Sequence, residues 1–177
     1  MLNEEAYDLV QMLDGMTFNH SVRVKEIANM VEYELKFKDK TLSQAAFVHD
    51  VGKLYIASNI IDKPGRLSEL EYSIMDLHPY IGYRLLKDIG IENEICEIVL
   101  YHHGKHPPML RPIQVSITPH ILEKSKILHT IDMYEALTTD RPYRRGFEHD
   151  EAIHIMRKEV DNHDERVVSL LEKLDID

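Results

Sequence analysis

Apolar residues recur every three or four positions along most of this 177-residue chain, which is the spacing of amphipathic helices. No convincing alternating pattern typical of β-strands interrupts them. The pattern predicts an all-α fold, a single-domain helical bundle that spans residues 1–177. The longer predicted helices cover residues 3–13, 18–37, 92–103, 120–138, 149–161 and 164–174.

A short helix is predicted after residue 40. The sequence Thr41-Leu42-Ser43-Gln44 has the form of a capping box, in which side chains bind the free N–H groups at a helix start. Gly52 is well placed to end this helix near Asp50, because glycine readily adopts the left-handed conformation that closes many helices. The helix would therefore end close to the dipeptide His49-Asp50.

Two further helices are predicted in the middle of the chain. A second capping box, Ser68-Glu69-Leu70-Glu71, opens a helix that runs to His78. Pro79 stops that helix, because proline has no N–H to donate, and it can begin the next one. Residues 104–119 contain one glycine and four prolines, so they are predicted to form the longest loop.

Several polar residues occupy positions where the helical pattern calls for a buried aliphatic side chain or a helix end. A buried carboxylate without a partner costs several kcal/mol, so Asp132 on an apolar stripe requires a cation or hydrogen-bond donors. A lone histidine on such a stripe is more often a hydrogen-bonded core residue. Seven histidine and aspartate residues at such positions, in different or adjoining segments, favour a metal site instead. They are His20, His49, Asp50, His78, His102, His103 and Asp132.

The types of ligand in this set restrict the metal. Five imidazoles and two carboxylates, without a thiolate, suit iron, manganese, zinc, nickel or cobalt, with iron or manganese favoured. Seven ligands exceed what one tetrahedral ion uses, so the sequence predicts two divalent ions bridged by Asp50. Two such ions about 3.5–4 Å apart activate a bridging hydroxide and bind phosphoryl oxygens, which is the usual machinery of phosphoester hydrolysis. Asp50 is therefore assigned a catalytic role.

Three basic residues are candidates for contacts with a substrate phosphate. Lys53 follows Asp50 at the predicted helix end, and we assign it a catalytic and a substrate-binding role. Arg141 and Arg144 lie in the basic run Arg-Pro-Tyr-Arg-Arg, and guanidinium groups bind phosphate in a bidentate manner. The alternative for this run is a solvated turn after the preceding helix.

Composition and charge limit the class of protein. A net charge of −10 argues against partners such as polymeric nucleic acid or an anionic membrane, but it allows a small phosphate-containing substrate next to bound cations. No apolar run approaches the ~20 residues of a membrane span, and the acidic start lacks the layout of a signal peptide. The single cysteine, Cys96, excludes an internal disulfide. We expect a cytoplasmic protein.

The order of these motifs resembles the HD-GYP branch of the HD metal-dependent phosphohydrolase superfamily. The resemblance runs from about residue 17 to 171. It rests on His20-Ser21-x-Arg23-Val24, His49-Asp50-x-Gly52-Lys53, Lys63-Pro64-Gly65, His78-Pro79-x-x-Gly82, His102-His103 and Asp132-x-x-x-Ala136-Leu137 through Arg141-Pro142-Tyr143-Arg144. The resemblance implies a helical bundle of the HD-domain type, a centre of two or three metal ions, and hydrolysis of the bacterial messenger cyclic di-GMP.

The resemblance also implies a role for each site residue. One ion would be held by His20, His49, Asp50 and Asp132, and the other by Asp50, His78, His102 and His103. The residues Lys53, Arg141 and Arg144 match positions that contact substrate phosphates.

The chain departs from the branch at two positions. The branch has a glutamate and later a Gly-Tyr-Pro after its paired histidines, whereas this chain has Gly104 and no Gly-Tyr-Pro. Met16 stands where some members have a glutamate that holds a third metal ion, so we expect at most two ions. The altered loop at 104–110 leaves the identity of the substrate open.

Three functions fit this sequence. The leading prediction is a metal-dependent phosphodiesterase that hydrolyses cyclic di-GMP or a related cyclic dinucleotide. The altered loop supports an alternative, an HD-type phosphohydrolase that acts on another nucleotide or phosphoester. The third is a catalytically degenerate signalling or scaffold module, although no ligand is visibly lost. Relatives commonly carry a fused sensor domain and this chain shows none, so a separate sensor or regulatory protein is a candidate partner.

Overall fold

The computed structural model describes residues 1–104, 117–140, 144–159 and 162–173, and most of these residues lie in helices. The helices are α1 (Glu4–Gln11), α2 (Gly15–Glu34), α3 (Thr41–Val48), a 3₁₀ helix (Val51–Tyr55), α4 (Ser58–Ile61), α5 (Glu69–Met75), α6 (His78–Asp88), α7 (Asn93–Tyr101), α8 (Pro119–Thr138), α9 (His149–Glu159) and α10 (Glu165–Leu171). These ranges contain no β-strand, so the predicted all-α fold is confirmed.

The core lies between α2, α3, α7 and α8. Helix α2 packs on α3 and α8, while α7 packs on α3, α6 and α8. Their facing side chains are aliphatic and fully buried, as Val24, Val48, Ile98 and Leu128 are. Burial of this apolar surface is the main term that stabilises the bundle. The shared core supports the prediction of one domain over residues 1–177, which stays a prediction.

Helix α2 begins at Gly15, three residues before the predicted start. The Asp14 carboxylate accepts hydrogen bonds from the N–H groups of Met16 and Thr17, at 2.9 Å and 3.0 Å, and so caps the helix. This early start places the candidate ligand His20 inside the helix, where it is buried.

The predicted capping box at Thr41 is wrong, although α3 does begin there. The Thr41 N–H donates to the Asp39 carboxylate at 3.1 Å, so the residue that binds the helix start lies before Thr41. The Gln44 side chain accepts a hydrogen bond from the Leu2 N–H at 2.8 Å. A tertiary contact has thus taken the group that the local pattern assigned to the cap.

The predicted end of α3 at Gly52 also needs correction. The helix ends at Val48, and Gly52 lies inside the 3₁₀ helix that follows, without a positive φ angle. The second capping box, Ser68–Glu71, is present at the start of α5. Helix α5 ends at Met75, and the next helix begins at His78 with proline in its first turn.

The helices of the C-terminal half agree with the pattern to within a few residues. Helix α8 starts at Pro119, after the Thr118 side chain that accepts a hydrogen bond from a backbone N–H of the first turn. Most of the predicted loop, residues 105–116, lies outside the described residues. Among the helices of the described ranges, none has the length and apolar character to cross a membrane.

Candidate metal centre

All seven predicted ligands come together in two adjoining groups inside the bundle. Helices α2 and α8 and the end of α3 supply His20, His49, Asp50 and Asp132. The start of α6 and the end of α7 supply His78, His102 and His103. Within each of the trios His20–His49–Asp50 and His78–His102–His103, the candidate ligand atoms lie within 4.8 Å of one another.

The first group converges on the Nε2 atom of His20. This atom lies 3.2 Å from His49 Nε2 and 3.0 Å from Asp132 Oδ1. His49 Nε2 in turn lies 3.4 Å from Asp50 Oδ2. Two imidazole nitrogens and two carboxylates therefore face one small volume, which is the geometry of an N,O site for a divalent ion.

The second group consists of three imidazoles whose Nε2 atoms face one another. His78 Nε2 lies 3.3 Å from the Nε2 atoms of both His102 and His103. His78 and His102 are buried, and His103 is partly exposed. Three nitrogen donors with one more exposed member leave a side from which water or a substrate can reach this group.

Asp50 lies between the two groups and gives one carboxylate oxygen to each. Its Oδ2 atom lies 3.6 Å from His20 Nε2 and 3.4 Å from His49 Nε2. Its Oδ1 atom lies 3.4 Å from His78 Nε2. This arrangement is the one that a carboxylate bridging two ions requires.

Three of the histidines are oriented by carbonyl groups in the last turn of a helix. Such carbonyls have no partner within the helix, so they can accept a hydrogen bond from a side chain. The Nδ1 atoms of His49, His78 and His102 lie 2.7, 2.7 and 2.6 Å from the carbonyl oxygens of Ala46, Met75 and Val99. An Nδ1–H that donates to a carbonyl leaves Nε2 free as the metal-binding nitrogen.

His20 is oriented in a different way. Its Nδ1 atom makes a short hydrogen bond with the carboxylate of Glu135, three residues after Asp132 on α8. Arg23, three residues after His20 on α2, lies 2.5 Å from the same carboxylate. Neither Glu135 nor Arg23 was assigned a role from the sequence. Their spacing could have identified them. Arg23 and Glu135 each lie three residues after a ligand on the same helix, and residues three apart share a helix face.

Burial keeps most of the imidazoles neutral. It lowers the pKa of His78 to about 3 and the pKa of His102 well below the usual value. It also lowers the pKa of His103. Neutral imidazoles are the form that binds metal.

The two carboxylates stay ionised despite their burial. Burial alone would raise the pKa of Asp50, but the neighbouring His49 and Lys53 outweigh this effect and hold the pKa well below its ordinary value. Burial acts in the same sense on Asp132, and hydrogen bonds from His20 and His49 hold its pKa low. Two ionised carboxylates in a buried site need cations close by.

His20 is the exception among the imidazoles. Burial lowers its pKa, but hydrogen bonds to Asp132 and Glu135 outweigh burial and raise the pKa to about 9. A cation at this point is therefore favoured electrostatically, and a metal ion can take the place of the proton. The donor set of nitrogen and oxygen atoms without sulfur fits divalent ions such as iron, manganese or zinc.

The three basic candidates are placed differently from one another. Lys53 Nζ lies 2.7 Å from Asp50 Oδ2, beside the metal ligands. Arg144 donates hydrogen bonds to the carbonyls of Ala136 and Leu137 at 2.7 and 3.1 Å, so its described contacts cap the end of α8. Arg141 lies outside the described residues, and substrate binding by both arginines stays a prediction.

Comparison with known proteins identifies the family of this chain. The family model for the HD domain matches residues 17–177, so the chain belongs to the HD domain family. A cyclic di-GMP phosphodiesterase of Pseudomonas aeruginosa is 30% identical over 152 residues, which is 81% of this chain and 35% of the relative. A 3'3'-cGAMP-specific phosphodiesterase of Vibrio cholerae is 30% identical over 161 residues, 86% of this chain and 36% of the relative.

A further relative supports the HD-GYP-like branch that the motif order indicates. The cyclic di-GMP phosphodiesterase response regulator RpfG of Xanthomonas campestris is 30% identical over 151 residues, 81% of this chain. The chain spans about a third of the length of the first two relatives and 39% of this one.

Proposed function

We propose that this protein is a metal-dependent phosphodiesterase that hydrolyses cyclic di-GMP or a related cyclic dinucleotide. The observation that carries the proposal is the position of Asp50, whose two oxygens face two separate groups of ligands. A bridged pair of divalent ions is the common apparatus for phosphodiester hydrolysis. The relatives named for cyclic di-GMP and 3'3'-cGAMP support the class of substrate.

The proposal gives each group of ligands one divalent ion. His20, His49 and Asp132 would hold the first, His78, His102 and His103 would hold the second, and Asp50 would bind both. When bound, such ions lower the pKa of water and neutralise charge on phosphoryl oxygens. Iron or manganese is favoured, and zinc, nickel or cobalt also suits these ligands.

Lys53 is the protein group best placed to act on a bound phosphate. Its ammonium lies beside Asp50 and the side chain is 23% exposed, so it is open to the surroundings of the site. In the absence of a metal ion it neutralises Asp50. With Asp50 engaged by metal, the ammonium can donate to a phosphate oxygen and stabilise the charge that develops during hydrolysis.

The test is an assay of one protein sample for metal content and for activity. We expect protein reconstituted with Mn²⁺ or Fe²⁺ to hold two ions per chain and to hydrolyse cyclic di-GMP or 3'3'-cGAMP. The panel includes mononucleotides and a simple phosphomonoester, and Asp50→Asn serves as the inactive control. Activity on mononucleotides alone would select the alternative phosphohydrolase. Fewer than one ion per chain after reconstitution would select the scaffold module.

Two further expectations belong to this proposal. A cytoplasmic location stays a prediction, and fractionation of cells that produce the chain tests it. A separate sensor or regulatory protein as partner stays a prediction, and co-purification from cells that produce the chain at native levels tests it.

A further inference from the structure

The helix that carries His20 has no free carbonyl group beside it to orient the imidazole. His20 is inside α2, where backbone carbonyls already accept the hydrogen bonds of the helix. The other three buried histidines follow helix ends, and each donates its Nδ1–H to a carbonyl three residues before it. His20 therefore needs an acceptor from another part of the fold.

Glu135 supplies this acceptor, and its two oxygens have different partners among the described residues. Its Oε2 atom binds Nδ1 of His20. Its Oε1 atom lies 2.5 Å from both Nε and Nη2 of Arg23 and 2.8 Å from Oγ1 of Thr139. Three donors on one oxygen fix the rotation of the carboxyl group, so the other oxygen is held towards the imidazole.

Glu135 is buried among these partners. Its carboxylate side chain is only 2% exposed. The Arg23 side chain is 40% exposed and lines a cavity of about 530 Å³, so it reaches Glu135 from the solvent side.

We propose that Glu135, held by Arg23 and Thr139, is a positioning residue that fixes His20 in the tautomer with Nε2 free for the metal ion. The inference rests on the proposed two-metal centre. Glu135 does not belong to the seven ligands, and it acts on one of the two groups only. The ion at His20, His49 and Asp132 depends on a carboxylate beyond its ligands, whereas His78 and His102 depend on backbone carbonyls.

The consequence is an asymmetric centre. A carboxylate that accepts from the far nitrogen makes an imidazole more basic and a stronger ligand than a carbonyl does. Removal of this carboxylate should weaken one metal site and leave the other nearly unchanged. A purely structural tie between α2 and α8 would weaken the same site, because His20 and Asp132 lie on these two helices. The tautomer of His20 therefore separates a positioning role from a structural one.

The experiment measures metal affinity directly, by competition between the protein and a chelator for Zn²⁺ or Mn²⁺. His20→Ala and His103→Ala identify which of the two binding steps belongs to which group. We expect Glu135→Ala to weaken the step lost in His20→Ala by about 10–100-fold and the other step by less than about threefold. Glu135→Gln keeps an acceptor without the charge and should give an intermediate loss.

A second measurement reports the tautomer itself. In the zinc-loaded protein, the ¹⁵N chemical shifts of His20 should show a protonated Nδ1 and a metal-bound Nε2. In Glu135→Ala, the Nδ1 proton of His20 should exchange rapidly with water and its signal should disappear. Arg23→Gln should change the His20 signals in the same direction. Because Arg23 is partly exposed, this variant tests the support of Glu135 with little change in packing.

Glu32→Gln is the matched control. Glu32 lies on the same helix as His20, is 1% exposed, and binds the Ser43 N–H at 2.9 Å and the Lys40 ammonium at 3.2 Å. We expect it to lower stability without any change at either metal site. Equal weakening of both steps in Glu135→Ala, or the same pattern in Glu32→Gln, would overturn the proposal. Unchanged affinity and tautomer in Glu135→Ala would overturn it as well.

The outcome for the proposed function is separate. Wild-type protein that binds two ions asymmetrically but hydrolyses no cyclic dinucleotide contradicts the function and keeps the role of Glu135. Wild-type protein that binds no metal ion overturns both. No substrate is needed for either binding measurement, so the two failures are distinguishable.

Discussion

Gly52 and His78 approach each other so closely that a Cβ atom on Gly52 would lie 2.0 Å from the carbonyl oxygen of His78. The same Cβ would lie 2.7 Å from the backbone nitrogen of Gly82. Both atoms belong to the backbone of α6 and cannot rotate away. This contact holds the 3₁₀ helix against α6, and it keeps Asp50 within reach of His78.

Gly52→Ala should therefore separate the two groups of ligands. We expect the substitution to push α6 away, lower the free energy of unfolding by about 1–3 kcal/mol, and weaken the metal site of His78. Urea unfolding and metal content after dialysis measure the two effects. Gly15→Ala is the control, because a Cβ on Gly15 meets nothing within 4 Å. A Gly52→Ala protein with two tightly bound ions would contradict this account of the packing.

The bridging position of Asp50 predicts a difference between the two carboxylates of the site. An amide gives only one oxygen, so Asp50→Asn should reduce the metal content below that of Asp132→Asn. The contacts of Asp132 in the site are with His20 and His49 of the first group, at 3.0 and 3.8 Å, so its loss should weaken that group more than the other. Metal analysis after reconstitution with Mn²⁺ measures both variants, with the exposed Asp8→Asn as control. Two ions in Asp50→Asn would exclude a bridging role.

The pH dependence of stability should have opposite slopes on the two sides of neutrality in the metal-free protein. In the acid range, the folded pKa of His78 is about 3 against an ordinary value of 6.5, so the unfolded chain binds a proton that the folded protein does not. Stability therefore falls as the pH falls through this window. His102, whose pKa is also lowered, acts in the same direction.

In the alkaline range, His20 makes the stability fall as the pH rises. Its folded pKa is about 9, so its contribution is fully present below 6.5 and is lost as the pH rises through 9. We expect the free energy of unfolding, measured in urea, to be greatest between about pH 6 and 7. His20→Gln should flatten the alkaline side, and bound metal should do the same because it displaces the proton. Stability that rises from pH 7 to 9 without metal would contradict this.

Much of the fold followed from spacing alone. The period of the apolar residues identified the long helices, and polar residues on those stripes identified the seven residues that the structure brings together. Their arrangement in two groups around Asp50 was implied by the family resemblance and has the expected geometry. Their role as ligands stays a prediction. Local periodicity succeeds here because each candidate ligand lies on the buried face or at the end of one helix.

The residues that support the site were beyond such reasoning. Glu135 lies 115 residues from His20 in sequence, and only the packing of α2 on α8 joins them. The capping box at Thr41 failed for a related reason, because Asp39 and the N-terminal segment compete for the same groups. Contacts between distant helices depend on how the helices pack, which a local pattern does not contain.

A buried lysine outside the metal centre should control stability without affecting metal binding. The Lys124 side chain on α8 is fully buried, and its ammonium lies 2.6 Å from Asp39 Oδ1, Thr41 Oγ1 and Glu94 Oε1. We expect Lys124→Met to lower the free energy of unfolding by about 2–3 kcal/mol, because hydrogen bonds to charged groups are lost. Urea unfolding measures this, with the exposed Lys38→Met as control. If Lys124→Met lost metal at temperatures where it stays folded, Lys124 would not be independent of the metal centre.

Gly104 stands where the HD-GYP branch has a glutamate. Its backbone conformation explains why restoring the glutamate should destabilise the protein. Its φ angle of 68° is left-handed, and a Cβ there would lie 2.7 Å from the Nδ2 atom of Asn162. We expect Gly104→Glu to lower the free energy of unfolding by about 1–2 kcal/mol, the cost of a left-handed residue with a side chain. Asn162 itself has a φ angle of 63°, so Gly104→Glu combined with Asn162→Gly should recover the part due to the clash. Thermal unfolding of the metal-loaded variants measures both, and a Gly104→Glu protein as stable as the wild type would show that the turn after His103 accepts the glutamate without strain.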